Sequence, residues 1–573
     1  MNLPTLAAHD LDATPPAQRS ALKPFLSPSE DDPQWWRHAV IYQVYVSSFA
    51  DDNGDGIGDL AGVRSRLGYL RDLGVDAIWY TPWYTSPLAD GGYDVADYRE
   101  INPAFGDLSD AEALIQDALR VGIRTIIDVV PNHISDQHPW FQAALAAEPG
   151  SPERERFWFR PGKGPNGDEM PNHWTSNFSG DTWTRTTNPD GTPGEWYLHL
   201  FTPNQPDLNW DHPEVRAEHE DILRFWFDRG AAGVRIDSAA LLVKDPELPE
   251  VPDNPGPGDH PNTDRDELHD IYRQWRQVAD SYPGTRVLVG EIWLPDIDRF
   301  AKYLRPDELH TAFNFDFLAR PWNPAELRDS IDATLAAHAP VDAPSTWVLS
   351  NHDVTRPVTR YGRTDSSFAF ATKRHGVHSD LELGTRRARA AALLTAALPG
   401  SLYIYQGDEL GLPEVEDIPD SLLKDPMHFR SGGIDPGRDG CRVPMPWHGL
   451  TAPYGFSPDG TAAEPWLPQP RAWAELSVEA ELSDTRSMLW LYREALRIRH
   501  NEQSLIDGEF RWLESAPTTL TFSRGDAFVS FTNFSDAATV LPEHTSLLLS
   551  SSPLVSGLLP PDSTAWLRPQ RQA

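Results

Sequence analysis

Along most of this chain, short continuous apolar runs alternate with stretches of helical spacing, and that alternation restricts the fold more than any other feature. "VIYQVYVSSF" (40–49) reads as a strand, and "DLAGVRSRLGYLRDLG" (59–74) as a helix that stops at Gly74. "VDAIWYTP" (75–82) is the next strand, and "LSDAEALIQDALRVG" the next helix, with Ser109 as its expected N-cap. "IRTIIDVV" (123–130) is the third strand. Runs this uninterrupted suit strands buried on both faces, as in a parallel sheet.

From about Ser135 to Asp211 the alternation breaks into sequence rich in Pro, Gly, Asn and Trp. It resumes with the helix "PEVRAEHEDILRFWFDRG" and the strand "AAGVRIDSAA" (231–240). Further strands are expected at 285–293, 310–317, 345–353 and 401–409. That makes eight strand–helix units, the number in a (β/α)8 TIM barrel. The expected organisation is an irregular extension over 1–34, a barrel over 35–134 and 212–505, and a domain inserted after strand 3 over 135–211. The helix "DTRSMLWLYREALRIRHN" (484–501) closes the ring. Short alternating runs then predict a small antiparallel, β-sandwich-like domain over 506–573.

A formal charge of −36 argues against nucleic acid and anionic membrane surfaces as partners, since both require basic patches. The apolar fraction of 39%, with 21 Trp and 23 Phe, is enough for a large core and for aromatic-lined pockets. Cys441 is the only cysteine, so no disulfide can form within the chain, which fits a reducing cytoplasm. The first residues show no basic-then-apolar leader. No run approaches the about 18 apolar residues of a membrane span. The expectation is a soluble cytoplasmic protein acting on a neutral ligand.

Active sites of such barrels form at the C-terminal ends of the strands, so polar residues there carry information. Strand 3 ends in "DVVPNH", strand 4 in "GVRIDS", strand 5 in "GEIW" and strand 7 in "SNHD". Asp237, Glu291 and Asp353 therefore emerge at one mouth, accompanied by Arg235, His133 and His352. One such carboxylate is ordinarily a cap or a scaffold ion pair. Three together repel, so at least one pKa should rise, and a split between two carboxylates separates acid from nucleophile.

These motifs, in this order, resemble glycoside hydrolase family 13, the α-amylase family, and within it the α-glucosidase and oligo-1,6-glucosidase group. "QPDLNW" (205–210), "YIYQGDELG" (403–411) and "RDGCRVPMPW" (438–447) match as well, so the likeness runs from about Trp35 to the C-terminus. It implies a retaining two-step displacement with Asp237 as nucleophile, Glu291 as acid/base and Asp353 as transition-state stabiliser. In retaining enzymes the reacting carboxyls lie about 5–5.5 Å apart. Arg235, two residues before Asp237 on a strand, shares its face and should keep it ionised. His133 and His352 resemble the family's hydroxyl-binding histidines, and Asp128 and Asn132 supports of the site. The resemblance pairs Asp90 with Arg442 at a closed pocket end, which implies exo action on neutral α-glucosides. Tyr93, Phe178, Phe201 and Gln205 match positions lining the same subsite; for the aromatic residues core packing is the alternative. Members preferring α-1,6 bonds often carry Val after the nucleophile. Ser238 stands there, so α-1,4 bonds in maltose and short oligosaccharides are expected. "GVR" for "GFR", "QGDE" for "QGEE" and "DGCRVPMPW" for "NARTPMQW" depart from the family pattern, and the last leaves acceptor preference open. Residues 360–384 form a long loop after strand 7, either a roof over the acceptor side or a solvated connection.

"DDNGDGIGDL" (51–60) begins like an EF-hand loop, but its twelfth position is Gly62 rather than a bidentate Glu, and a strand precedes it. The resemblance instead implies one structural Ca²⁺ on Asp51, Asn53, Asp55, the Ile57 carbonyl and Asp59. The alternative is a turn whose Asp and Asn side chains cap their own backbone. Two other functions fit the same motifs, a sucrose hydrolase and a trehalose synthase or another glucosyl-transferring relative; a remote alternative sharing the fold is a non-catalytic transporter subunit. The last carries a membrane anchor and lacks the full carboxylate set.

Overall fold

The computed structural model describes residues 32–570 apart from 189 and 371, so most of the expected extension (1–34) lies outside the described residues. Eight parallel strands form the central sheet: β1 (Val40–Val44), β2 (Ala77–Tyr80), β3 (Arg124–Val129), β4 (Gly233–Ile236), β5 (Val287–Gly290), β6 (Thr311–Ala312), β7 (Thr346–Val348) and β8 (Ser401–Tyr405). They pair in the order β6-β5-β4-β3-β2-β1-β8-β7. The Thr346 hydroxyl donates to the Ala312 carbonyl across the seam between β7 and β6, so the barrel is nearly closed. Every residue of β1–β5 is buried, as their unbroken apolar runs predict.

The strands are shorter than the apolar runs that announce them. Only Thr311 and Ala312 of "HTAFNFDF" are strand; Asn314 then caps a helix over Phe315–Ala319. Gly74 ends its helix in the left-handed conformation (φ 101°) as expected. The helix Leu108–Arg120 is capped by Asp107, not Ser109. Asp107 forms a capping box with Asp110, and the Ser109 hydroxyl donates to the Asp107 carboxylate.

Side chains of alternate strand residues fill the barrel: Ile41, Ala77, Trp79, Ile126, Val287, Val289 and Tyr403 cluster inside, while Tyr42, Ile78, Ile127, Val234 and Leu288 join the core beneath the helices. The segment between β3 and β4 carries a three-stranded antiparallel sheet (Phe159–Arg160, Pro193–Leu198, Trp183–Thr187) over its own cluster of Trp158, Trp174 and Trp183. After the helix Met488–Asn501, five antiparallel strands between Phe510 and Pro569 form a separate sheet. No helix among the described residues is long and apolar enough to cross a membrane.

Candidate active site

Asp237 directly follows β4 and Glu291 directly follows β5, so the ends of two neighbouring strands set their positions. Arg235, on β4, is 1% exposed and holds both. Its Nη1 donates to Asp237 (2.7 Å) and to Asp128 on β3 (3.0 and 3.1 Å), and its Nη2 to Glu291 (2.5 Å). One guanidinium therefore holds both carboxylates side by side at the strand ends. Asp128 is fixed in turn by Trp79 (3.0 Å) and Tyr93 (3.1 Å), so it supports Arg235 rather than facing substrate. Glu291 also accepts from the Ser238 backbone N–H and from Trp293 Nε1, both at 3.1 Å. Ser238 itself sits at φ 46°, a left-handed conformation uncommon outside glycine and found often at functional sites.

Burial pushes the pKa of Asp237 up to about 6 against the pull of Arg235, and that of Glu291 up to about 7, with Asp237 and Asp353 adding to the rise. The order is the one the chemistry needs, with the lower value on the nucleophile. Asp353 behaves oppositely. Burial alone would raise it, but His352, Arg438 and Arg442 together hold it well below the usual carboxylate range. Asp353 therefore stays an anion, and its charge helps to raise Glu291.

The closed end of the pocket corrects one expectation. Asp90 pairs with Arg438 (2.6 Å), not with Arg442, which donates to Asp353 (2.9 Å) and to the His352 carbonyl (2.9 Å). Both arginines flank one tight turn, Asp439–Cys441, which aims Arg438 at the pocket and Arg442 behind Asp353. Arg438 also binds Asp353 (3.1 Å) and Asp425 (2.7 and 3.0 Å), a buried carboxylate that sequence reasoning missed because no motif surrounds it. Asp90 lies on the turn between Tyr84–Thr85 and Asp97–Ile101, whose start is tied by Asp94 accepting from the Ala89 and Asp90 backbone. Gly91 lets this turn pass close to Tyr45: at φ 58°, a Cβ there would meet the phenol oxygen at 2.5 Å.

The other predicted residues gather here. Gln205 donates to Asp90 (3.0 Å). His133 meets the Tyr93 carbonyl at 3.1 Å, and burial keeps it neutral by lowering its pKa to about 4. His352 stacks on Tyr93 (5.2 Å, 7°). Gln43 Nε2 lies 2.6 Å from Nδ1 of His352, and burial holds this ring neutral too. Phe178 covers the Arg438 guanidinium (4.7 Å) and packs edge-on against Phe201 (5.1 Å), which in turn meets His133 (4.9 Å). Asn132 supports from behind, accepting from Lys244 (2.6 Å), whose ammonium is neutralised by Asp207 (2.8 Å).

Asp90, Tyr93, His133, Asp237, Glu291, Asp353 and Arg438 line a cavity of about 520 Å³, with His352, Phe178 and Phe201 beside them; Arg235, Gln205 and Arg442 hold these groups from behind. Its outer wall includes Leu241, Trp293, Ala319 and Met427, together with Phe368, Phe370 and Lys373 of the 360–384 loop. Trp293 stands in the quoted "GEIW", yet only the geometry shows it touching Glu291.

At 51–59 every predicted side chain is engaged by the loop's own backbone. Asp51 accepts from Gly54 and Gly56, Asn53 from Asp55, Asp55 from Ile57, and Asp59 from Asp52, Asn53 and Gly62. Asp59 is also the N-cap of the following helix. Among the described residues no three His, Cys, Asp or Glu side chains are grouped to hold a metal. The oxygens suit Ca²⁺ in kind; the arrangement is that of capped turns.

The model of the α-amylase catalytic domain matches residues 43–508. A probable α-glucosidase of Rhizobium meliloti (strain 1021) is 36% identical over 543 residues, covering 89% of this chain and 91% of the relative. An oligo-1,6-glucosidase of Parageobacillus thermoglucosidasius is 33% identical over 553 residues, covering 89% and 92%. Among solved structures, the trehalulose synthase of Pseudomonas mesoacidophila MX-45 aligns at a TM-score of 0.80 and 31% identity, covering 93% of this chain and 99% of that one. With that length of match and the carboxylate arrangement described above, the chain belongs to the α-amylase family, glycoside hydrolase family 13, in its α-glucosidase group, and is a glycoside hydrolase.

Proposed function

We propose that this glycoside hydrolase is an exo-acting, retaining α-glucosidase that releases glucose from the non-reducing end of maltose and short α-1,4-linked glucooligosaccharides, with some transglucosylation. One observation carries the reading: Asp237 and Glu291 share the Arg235 guanidinium in a pocket whose far end is shut by Asp90 and Arg438. A closed end admits one terminal sugar and leaves the rest of the chain outside. Asp237, ionised, attacks the anomeric carbon while Glu291, protonated, gives its proton to the departing oxygen. Glu291 then takes a proton from water as the glycosyl–Asp237 bond breaks. Asp353 and His352 grip the sugar's ring hydroxyls, and the fixed negative charge of Asp353 stabilises the cationic ring of the transition state. Asp90, Arg438 and His133 bind the far hydroxyls, and Tyr93 packs beneath the ring.

Ser238 lines the pocket beside the nucleophile, and its small side chain supports the α-1,4 preference. The test is product analysis on maltose, isomaltose, sucrose, trehalose and maltotriose. Glucose from maltose, faster than from isomaltose, is expected; trehalose or longer oligomers in place of glucose would favour a transferring enzyme. That second reading draws support from the likeness to a trehalulose synthase and from the loop over the acceptor side. A cytoplasmic location is part of the same reading, supported by one cysteine that is buried and unpaired. The Ca²⁺ at 51–59 is a separate proposal that rests on the family resemblance and the donor types alone; no catalytic step depends on it.

A further inference from the structure

Arg438 and Arg442 leave one tight turn in different directions, so the orientation of that turn decides what both of them reach. The peptide joining Cys441 to Arg442 is held from behind. Its carbonyl, that of Cys441, accepts from Arg356 Nη2 (2.8 Å) and from the Tyr405 hydroxyl (2.9 Å). Arg356 stands three residues after Asp353, and Tyr405 ends β8. Both are fully buried, and neither lines the cavity. The other terminal nitrogen of Arg356, Nη1, donates to the Gln406 carbonyl (2.9 Å), and the guanidinium lies over the Tyr405 ring, 4.9 Å from its centroid. A buried guanidinium carries a heavy desolvation cost. Here both of its terminal nitrogens go to backbone carbonyls, so its charge fixes the path of the chain. The segment after β7, the end of β8 and the arginine turn thus meet at one oxygen. On its other side the turn is held by the Asp439 carboxylate, which accepts from the Lys424 and Asp425 N–H groups (2.6 and 3.0 Å). Losing one bond at Cys441 therefore loosens the turn without freeing it.

We propose that Arg356 and Tyr405 are positioning residues for recognition of the terminal glucose. Through the Cys441 carbonyl they fix the aim of Arg438 at Asp90 and of Arg442 at Asp353, and so set how strictly the enzyme requires the hydroxyl at the closed end. The inference rests on the glucosidase reading and extends it to residues outside the cavity. With C1 at Asp237, the ring carbon opposite is C4, so the C4 hydroxyl is the one that reaches Asp90 and Arg438. A turn held in one orientation presents that charged pair at one place, and a loosened turn lets it drift from the hydroxyl.

4-Nitrophenyl α-glucoside and its 4-deoxy analogue test this, and the quantity to measure is the ratio of their kcat/KM values. In the wild type the ratio should be about 10³ or more, because a buried polar site built to bond a hydroxyl rejects the analogue that lacks it. Tyr405→Phe removes one oxygen and keeps the ring packed. It should lower the ratio by roughly 3- to 10-fold, nearly all of it through slower turnover of the hydroxylated substrate. Arg356→Gln should lower it further, and Arg356→Lys, which keeps the charge and can reach one carbonyl, should fall between wild type and Arg356→Gln. Any difference in intrinsic reactivity between the two glucosides cancels when variants are compared. A merely structural role would slow both substrates alike and leave the ratio where it was. Tyr405→Phe decides the matter even where Arg356→Gln does not fold: a ratio unmoved in Tyr405→Phe would overturn the inference and leave the glucosidase reading standing. A wild-type ratio near one would remove the closed-end recognition and the inference with it. An inert wild type would take the glucosidase reading and the inference together.

Discussion

At the deep end of the cavity, Asp90, Asp353, Asp425, Arg438 and Arg442 form one buried ion network in which each carboxylate has at least one arginine partner. At the mouth, Trp293, Phe368 and Phe370 make contact mainly through ring faces and edges. The deep end is costly to desolvate and rigid once paired, so it can recognise one pattern of hydroxyls. The mouth is cheap to desolvate and tolerant, since stacking requires no fixed set of donors. The reacting pair lies between these regions, and substitutions at the two ends should have different kinds of consequence.

The largest effect is expected between the ends. Asp237→Asn removes the nucleophile but leaves Arg235 held by Asp128 and Glu291, so maltose turnover should fall by about 10⁴-fold or more with little change in melting temperature. A loss of fold in that variant would show that Arg235 depends on Asp237 rather than on the other two carboxylates.

Next comes the deep end itself. Arg438→Ala strands Asp90 and Asp425 without their shared cation, and urea unfolding should register a loss of roughly 3–5 kcal/mol together with a raised KM. Arg442→Ala leaves the Asp90 pair in place and should cost less. Equal losses would mean the two arginines are interchangeable, contrary to their separate partners.

A smaller, pH-dependent effect concerns Glu291. Its raised pKa means that folding disfavours its ionised form. That penalty is present above about pH 7 and absent below its ordinary value of about 4.5. Glu291→Gln should therefore stabilise the fold by about 1–3 kcal/mol at pH 8, with the gain fading towards pH 5, while activity is lost. In the wild type, kcat/KM should follow a bell, with an acid limb near Asp237's value of about 6 and an alkaline limb near Glu291's of about 7. Melting curves from pH 5 to 8 and a pH–rate profile check the two statements. The smallest effect belongs to the 51–59 loop, which its own backbone already closes. Chelation should lower the melting temperature by a few degrees if Ca²⁺ is bound, and metal content and melting both unchanged would retire that proposal.

Much of this arrangement was legible in the residues. Strand order and the strand-end carboxylates follow from local pattern, because a buried parallel strand announces itself by an unbroken apolar run and its polar terminus by contrast. Which arginine reaches Asp90 was not legible. Arg438 and Arg442 stand four apart around one turn, and spacing along the chain does not reveal which way that turn faces. Asp425 caps the short helix Pro426–Arg430 and Phe370 lies in an irregular loop; neither position reveals which distant segment it meets, so their roles emerge only in the fold. Ser109 was a reasonable cap by type, yet Asp107 was preferred because Asp110 can return the hydrogen bond.

In the proposed mechanism Asp237 becomes covalently glucosylated while Glu291 handles the proton. A fluorinated glucosyl fluoride that forms the glycosyl-enzyme but hydrolyses slowly, followed by digestion and peptide mass analysis, tests it directly. One fluorohexosyl adduct is expected on the peptide carrying Asp237, and none in Asp237→Asn. An adduct on Asp128 or Asp353, or rapid release of the fluorinated sugar as its β-anomer with no adduct, would overturn this assignment.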